Sequence, residues 1–158
     1  RGRVAVIDVG TYTTDFVVSD ELRYVQRLSS SIAVGWSEAL NNIQGELSDR
    51  YRLDLSLHEV DKAVRSGGAR VKGQPINLQP MLKPAGRELE ATIVAKARDL
   101  WGEGATLDAL LIVGGAAPHI ASALLAVYPH ARLVPDAFWA NVEGFYRFGQ
   151  RSATFGEG

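Results

Sequence analysis

The chain has 158 residues, a net charge of −1 and no cysteine, and its length suits one globular domain with a sizeable core. The near-neutral charge gives no electrostatic support for binding nucleic acid or a membrane surface, and the cysteine count excludes disulfides and zinc–cysteine sites. No apolar run is long enough to span a bilayer. We expect a cytoplasmic protein, and, because Arg1 stands where an initiating methionine would, a fragment of a longer one.

The first third of the chain predicts a β-meander followed by a helix. Val4–Val9 is a β-branched run typical of a buried central strand. Thr14–Ser19 is predicted as a second strand and the alternating segment Leu22–Leu28 as a third, and short links make all three antiparallel. A helix is predicted from Trp36 to Tyr51 because apolar residues recur there at helical spacing after Gly35.

The middle of the chain predicts a small insertion, at about residues 53–84, followed by a long helix. Ser56 can cap a short helix over Leu57–Arg65. The glycines and prolines that follow favour a loop with one short strand, Gln74–Leu78. The long helix is predicted from Ala85 to Trp101 because its apolar residues form a stripe.

The last third predicts alternating strands and helices. The expected elements are a buried strand over Leu107–Val113, a helix over His119–Tyr128, a short strand over Arg132–Val134, a last helix from Pro135 to Phe148 with Asp136 as its cap, and a loose tail from Gly149 to Gly158. Because both late strands follow helices, they should join the sheet in parallel. The predicted fold is therefore an α/β mixed sheet with helices on both faces.

The first hairpin carries the pattern Asp8-x-Gly10-x-x-Thr13-x-Asp15. Backbone N–H groups after Gly10 and the hydroxyls of Thr11, Thr13 and Thr14 suit anionic oxygens. Asp8 ends an apolar strand, where a carboxylate can hold water around magnesium or orient an attacking water. The alternative is a plain turn in which Asp8 and Asp15 bond nearby backbone N–H groups, and the motif alone leaves both interpretations open.

A second candidate segment is the apolar strand that runs into Gly114, Gly115 and then a helix. Glycine lets a flat ring or a phosphate approach the backbone closely, and the helix N-terminus adds a positive dipole end. The alternative is ordinary strand–helix packing, and no Gly-Lys-Ser/Thr follows that would make a P-loop. Since Asp8 and Gly114 both end strands, they can line one crevice.

Taken together, the two motifs resemble the second half of the actin-like ATPase superfamily. Asp8–Asp15 is similar to its second phosphate motif, and Ile112–Gly115 is similar to its adenosine motif. Pro135–Gly149 resembles the last helix of ParM/StbA-type plasmid-segregation actins, with its Ala-Asn-x-x-Gly core, and Ser31–Ser37 resembles the step into the helix after the phosphate hairpin. The resemblance covers Val4–Gly149 and implies a ribonuclease H-like domain.

The resemblance also implies roles for the hairpin residues toward ATP (or GTP) and Mg²⁺. Asp8 would be the catalytic acid that organises magnesium and the hydrolytic water. Gly10, Thr11 and Thr13 would face the β- and γ-phosphates. Position 11 holds threonine where many members of the superfamily have glycine.

On the adenosine side, the resemblance implies that Gly114, Gly115 and Ala116 form the floor of the site. The helix of the insertion would flank the base, with Glu59 and Lys62 as the candidate contacts. The alternative for these two residues is a solvated helix face.

The implied function is the nucleotide-binding half of a filament protein for plasmid or DNA segregation or a bacterial cytoskeleton. Its implied partners are further copies, an N-terminal domain that supplies the other wall of the cleft, and a DNA-binding adaptor. With one wall alone, the chain is expected to have weak or no ATPase activity. The alternatives are half of a sugar- or acetate-kinase-type phosphotransferase of the same superfamily, and a non-catalytic interaction module, which Thr11 favours slightly.

Two further groups of side chains receive a structural interpretation. Phe138, Val142 and Phe145 share a helical face and are expected in the core, whereas Trp139 and Tyr146 are expected to pack on the missing domain or on a neighbouring subunit. The three histidines lack ligand spacing: His58 and His119 are predicted as exposed helix-start residues and His130 as a loop residue.

Overall fold

The computed structural model describes the backbone of residues 2–155 and the side chains of residues 2–150. This part of the chain forms a six-stranded mixed sheet, a separate two-stranded sheet and five α-helices. In chain order the elements are β1 (Arg3–Val9), β2 (Thr14–Asp20), β3 (Arg23–Tyr24), β4 (Ser30–Ile32), α1 (Trp36–Tyr51), α2 (Leu57–Arg65), β5 (Gly68–Val71), β6 (Gln74–Asn77), α3 (Gln79–Trp101), β7 (Ala109–Val113), α4 (Ala117–Val127), β8 (Ala131–Leu133) and α5 (Ala140–Phe155).

The main sheet has the strand order β3-β2-β1-β7-β8, and β4 also pairs with β2. Strand β1 is antiparallel to β2 and parallel to β7, and β7 is parallel to β8. The predicted mixed sheet is therefore confirmed. In the parallel pair, Asp8 lies opposite Val113, so the hairpin and the Gly114–Gly115 segment leave the sheet at the same edge, as expected.

The core lies on one face of this sheet. Along β1, Ile7 and Val9 are fully buried while Val6 and Asp8 are only half-buried, which is the alternation of a strand with one covered face. Helices α1, α3 and α4 contact one another and share one apolar cluster with the covered face. Since Asp8 belongs to the other face, the site lies away from this core.

The predicted third strand, Leu22–Leu28, is confirmed only over Arg23–Tyr24, which pairs antiparallel with β2. Glu21 and Leu22 have φ values of 50° and 68° and form a turn, so only the two residues of β3 are extended before a single 3₁₀ turn over Gln26–Leu28. Strand β4 was not predicted, because its two serines carry no apolar signal; it forms by pairing with β2.

In the middle of the chain, α2 has the predicted bounds but its surroundings differ. The predicted short strand Gln74–Leu78 is confirmed as β6, but β5 was not predicted and pairs with it in a hairpin. The turn residues Lys72 and Gly73 both have positive φ, as in a type I′ turn. Helix α3 begins at Gln79, six residues before the predicted start, because proline is tolerated in a first turn. Pro84 inside it removes one helical hydrogen bond.

The C-terminal helix departs most from expectation. Asp136 is not its cap: it has a φ of 52° in a turn, and α5 begins at Ala140. The segment 149–155, predicted as loose tail, continues the helix, and residues 156–158 lie outside the described part. The predicted core placement of Phe138, Val142 and Phe145 is wrong, since these side chains are 57%, 58% and 78% exposed.

No helix within residues 2–155 combines the length and the apolar character needed to cross a membrane.

Candidate functional site

The tip of the β1–β2 hairpin presents backbone donors without protein acceptors. The Gly10 N–H donates to the Thr13 carbonyl at 2.9 Å and closes the turn. The N–H groups of Thr11 and Tyr12 donate to no acceptor in the described part of the chain, and the side chains of Thr11 and Thr13 are exposed. The predicted phosphate-facing residues therefore meet at one accessible tip whose chemistry suits an anion. The prediction for Thr14 is wrong, because its side chain is buried and its hydroxyl donates to the Val34 carbonyl at 2.8 Å.

The hairpin is fastened to the start of α1. The N–H groups of Trp36 and Ser37 donate to the carbonyls of Gly10 and Thr11 at 3.0 and 2.7 Å. Gly35 permits this approach, because a Cβ there would lie 2.7 Å from the Thr11 carbonyl. The tip is consequently held by helix donors rather than left as a free loop.

Asp8 stands beside the hairpin with its carboxylate between two neighbours. Its Oδ2 accepts a 2.7 Å hydrogen bond from the Asn141 Nδ2, and a Cβ on Gly114 would overlap its Oδ1. Asp15 is its direct partner across the β1–β2 pair, so the two carboxylates share one face. Asp8 forms no ion pair with any side chain of residues 2–150.

The adenosine-type segment is anchored on both sides. The Gly114 N–H donates to the Ala137 carbonyl at 2.9 Å, and the Ala116 N–H donates to the Val9 carbonyl at 3.1 Å. Gly114 has a φ of +97°, a conformation that favours glycine. Gly115 is exposed whereas the Ala116 side chain is buried, so Ala116 offers a ligand its backbone only.

Glu59 and Lys62 lie on α2, where Glu59 has a structural role. Its Oε2 accepts from the Ser56 N–H at 2.8 Å and from the Ser56 hydroxyl at 2.7 Å, completing a capping box. These hydrogen bonds lower the pKa of Glu59. Lys62 is exposed. A contact of either residue with a nucleotide stays a prediction.

An aromatic stack that the sequence did not reveal lies beside the two motifs. The imidazole of His119, in the first turn of α4, stacks on the buried Trp36 ring at 4.2 Å between centroids and 8° between planes. Burial lowers the pKa of His119; the nearby Arg65 lowers it further, and Asp61 acts in the opposite direction. His119 is exposed at the start of α4, as predicted, and its ring also forms a contact between α1 and α4.

The lowered pKa of His119 predicts a pH-dependent stability. Above the ordinary histidine pKa of about 6.5, the ring is neutral in both the folded and the unfolded state. As the pH falls below this value, the unfolded chain binds a proton before the folded chain does. The free energy of unfolding therefore decreases until the pH passes the pKa of the folded state. Between about pH 8 and pH 5, we expect the melting temperature of His119→Phe, which keeps the stack, to change less than that of the parent. The exposed-histidine variant His58→Phe serves as the control, and equal pH dependence in the parent and His119→Phe would refute the assignment.

A mixed sheet with an acidic hairpin and a strand–Gly–Gly–helix at one edge defines a domain of the actin-like class. Residues 6–126 match the family model described as the C-terminal domain of the archaeal actin homologue MreB-like. The chain belongs to this family, and the predicted C-terminal half of an actin-like ATPase is confirmed.

Solved structures agree with this assignment over nearly the whole chain. A non-polymerisable quadruple mutant of pCBH ParM is 26% identical, with a TM-score of 0.81 over 95% of this chain and 47% of its own. A 15-stranded ParM filament from Clostridium botulinum is 26% identical, with a TM-score of 0.81 over 95% and 46%. The archaeal actin homologue Ta0583, in complex with ADP, shares the fold at 21% identity, with a TM-score of 0.84 over 95% and 50%.

The chain thus spans about half the length of each of these structures. No curated protein matches the chain.

Proposed function

We propose that this chain is the nucleotide-binding C-terminal half of an actin-like protein that forms ATP- or GTP-dependent filaments in the cytoplasm. The role would be ParM-type segregation of plasmid or other DNA, through an adaptor that binds the DNA, or a bacterial cytoskeleton. The observation that carries the proposal is the accessible hairpin tip beside Asp8, with Gly114–Gly115 at the same edge of the sheet.

The described residues fit a nucleotide with magnesium. The free N–H groups of Thr11 and Tyr12 and the hydroxyl of Thr13 suit phosphate oxygens. The Asp8 carboxylate is half-buried and has no cationic side-chain partner among residues 2–150, so it suits the water shell of Mg²⁺. When bound, magnesium would neutralise charge on the phosphates; Asp8 would hold and orient water there.

On the other side of the site, exposed Gly115 offers its backbone to a flat base, with Gly114 and Ala116 completing the floor. Glu59 and Lys62 on α2 remain candidates to flank it. The ADP bound in the Ta0583 structure supports nucleotide binding by this architecture.

The second wall of the cleft is proposed to be an N-terminal domain, as the length of the similar structures suggests. Helix α5 and the residue just before it provide a surface for this domain, because Trp139 and Tyr146 are 61% and 62% exposed. Several large exposed aromatic side chains on one segment are typical of an interaction site. The ParM filament structure supports self-association of the complete protein.

Sedimentation tests this proposal. We expect the full-length protein to pellet in the presence of ATP and Mg²⁺ and to release phosphate, whereas the isolated 158-residue chain does neither, because it holds only one wall of the cleft. Phosphorylation of a small metabolite without pelleting would favour the kinase alternative. Failure both to bind nucleotide and to pellet would favour the interaction module. Robust ATPase activity of the isolated chain that Asp8→Ala abolishes would contradict the one-wall model.

A further inference from the structure

We infer that Asn141 is a positioning residue for Asp8, an inference that rests on the proposed function. Asn141 lies in the first turn of α5, far from Asp8 in sequence, and its Nδ2 donates to the Asp8 Oδ2 at 2.7 Å. This is the single side-chain hydrogen bond that Asp8 makes in the described part of the chain.

The hydrogen bond restricts the carboxylate without neutralising it. Gly114 packs against Oδ1 so closely that a Cβ would overlap it, while Asn141 occupies one acceptor position on Oδ2. A carboxylate has about four acceptor positions, so the remaining ones stay available for ordered water. An uncharged amide donor therefore orients Asp8 and leaves its negative charge intact, which is how outer-shell hydrogen bonds tune metal-organising carboxylates.

The position of Asn141 depends on how α5 is placed. The chain leading into α5 is tied to the site through the bond from the Gly114 N–H to the Ala137 carbonyl, and the helix itself is tied through Asn141. Residues 141–150 are all exposed. A domain that packs on the aromatic side chains of α5 would therefore also hold the Asn141 amide in position to donate to Asp8.

Binding of ADP to the full-length protein, with Mg²⁺ and with EDTA, tests this role. We expect magnesium to raise the ADP affinity of the parent and Asn141→Ala to reduce that gain about 10-fold. The ADP affinity of Asn141→Ala in EDTA should differ from that of the parent by less than about twofold. Its melting temperature should be unchanged. Asn141→Asp should reduce the gain further, because two carboxylates then face each other. Asn42→Ala, at an exposed helical asparagine of α1, is the matched control.

Two outcomes overturn the inference: an unchanged magnesium gain in Asn141→Ala, or an equal loss of affinity with and without magnesium, which would indicate a structural role. The double variant Asp8→Asn/Asn141→Ala should lose no more than Asp8→Asn alone. If the parent binds no ADP, or Asp8→Asn keeps the full magnesium gain, the proposed function fails together with this inference. If Asp8→Asn loses the gain and Asn141→Ala keeps it, the positioning role alone fails.

Discussion

Replacing Asp8 with asparagine in the full-length protein is expected to lower the nucleotide hydrolysis rate by about 100-fold or more. Asparagine has nearly the same shape, so the contact with Gly114 and a hydrogen bond with Asn141 can persist. The negative charge that would organise magnesium and orient the attacking water is lost. Single-turnover phosphate release at saturating ATP and Mg²⁺ measures the effect.

The control for this substitution is Asp49→Asn, which removes an exposed carboxylate from α1 without approaching the site. Melting temperatures of both variants should stay close to the parent, because neither change creates a cavity or an unpaired buried group. Hydrolysis by Asp8→Asn at the parent rate would show that the Asp8 carboxylate is not needed for the reaction.

Replacing Gly114 with alanine is expected to destabilise the domain by about 3 kcal/mol and to abolish ADP binding. The backbone φ of +97° disfavours any side chain, and the added Cβ would overlap the Asp8 carboxylate and the backbone of Val9. Because Val9 is itself fully buried in a strand of the central sheet, neither neighbour can move away at low cost. Urea unfolding of the 158-residue chain measures the stability, and ADP titration of the full-length protein measures binding.

Gly144→Ala is the matched control, since Gly144 lies in α5 and a Cβ there meets nothing within 4 Å. Alanine is favoured over glycine in a helix by about 1 kcal/mol, so the control should be neutral or slightly stabilising. A Gly114→Ala variant as stable as this control would contradict the prediction. It would show that the loop between β7 and α4 can rearrange and that the close packing of Gly114 against Asp8 is not required.

Local patterns were sufficient to predict the elements whose signals are local. The bounds of α1 and α2 follow from helical apolar spacing in α1 and from Ser56 as the predicted cap of α2, to which the structure adds Glu59 in a capping box. The hairpin motif and the double glycine also follow, because glycine, threonine and aspartate at fixed spacing specify a turn and its exposed groups. The parallel direction of β7 and β8 could be inferred as well, since strands that follow helices pair in parallel.

Local patterns failed where a partner distant in sequence decides the conformation. Strand β4 is extended because β2 supplies its hydrogen bonds. Helix α5 was expected to bury Phe145, yet the described part of the chain leaves this side chain exposed. The sequence shows that an aromatic side chain favours burial, but it does not show whether its own domain or a partner buries it.

The sequence by itself therefore determined the class of fold, the acidic hairpin and the glycines at the neighbouring strand end, because these depend on residue type and short spacing. Only the tertiary structure decided which side chains meet there. The stacking of His119 on Trp36 and the hydrogen bond from Asn141 to Asp8 join segments that are far apart in the chain. Such contacts depend on how helices are placed against the sheet, and no local periodicity encodes that placement.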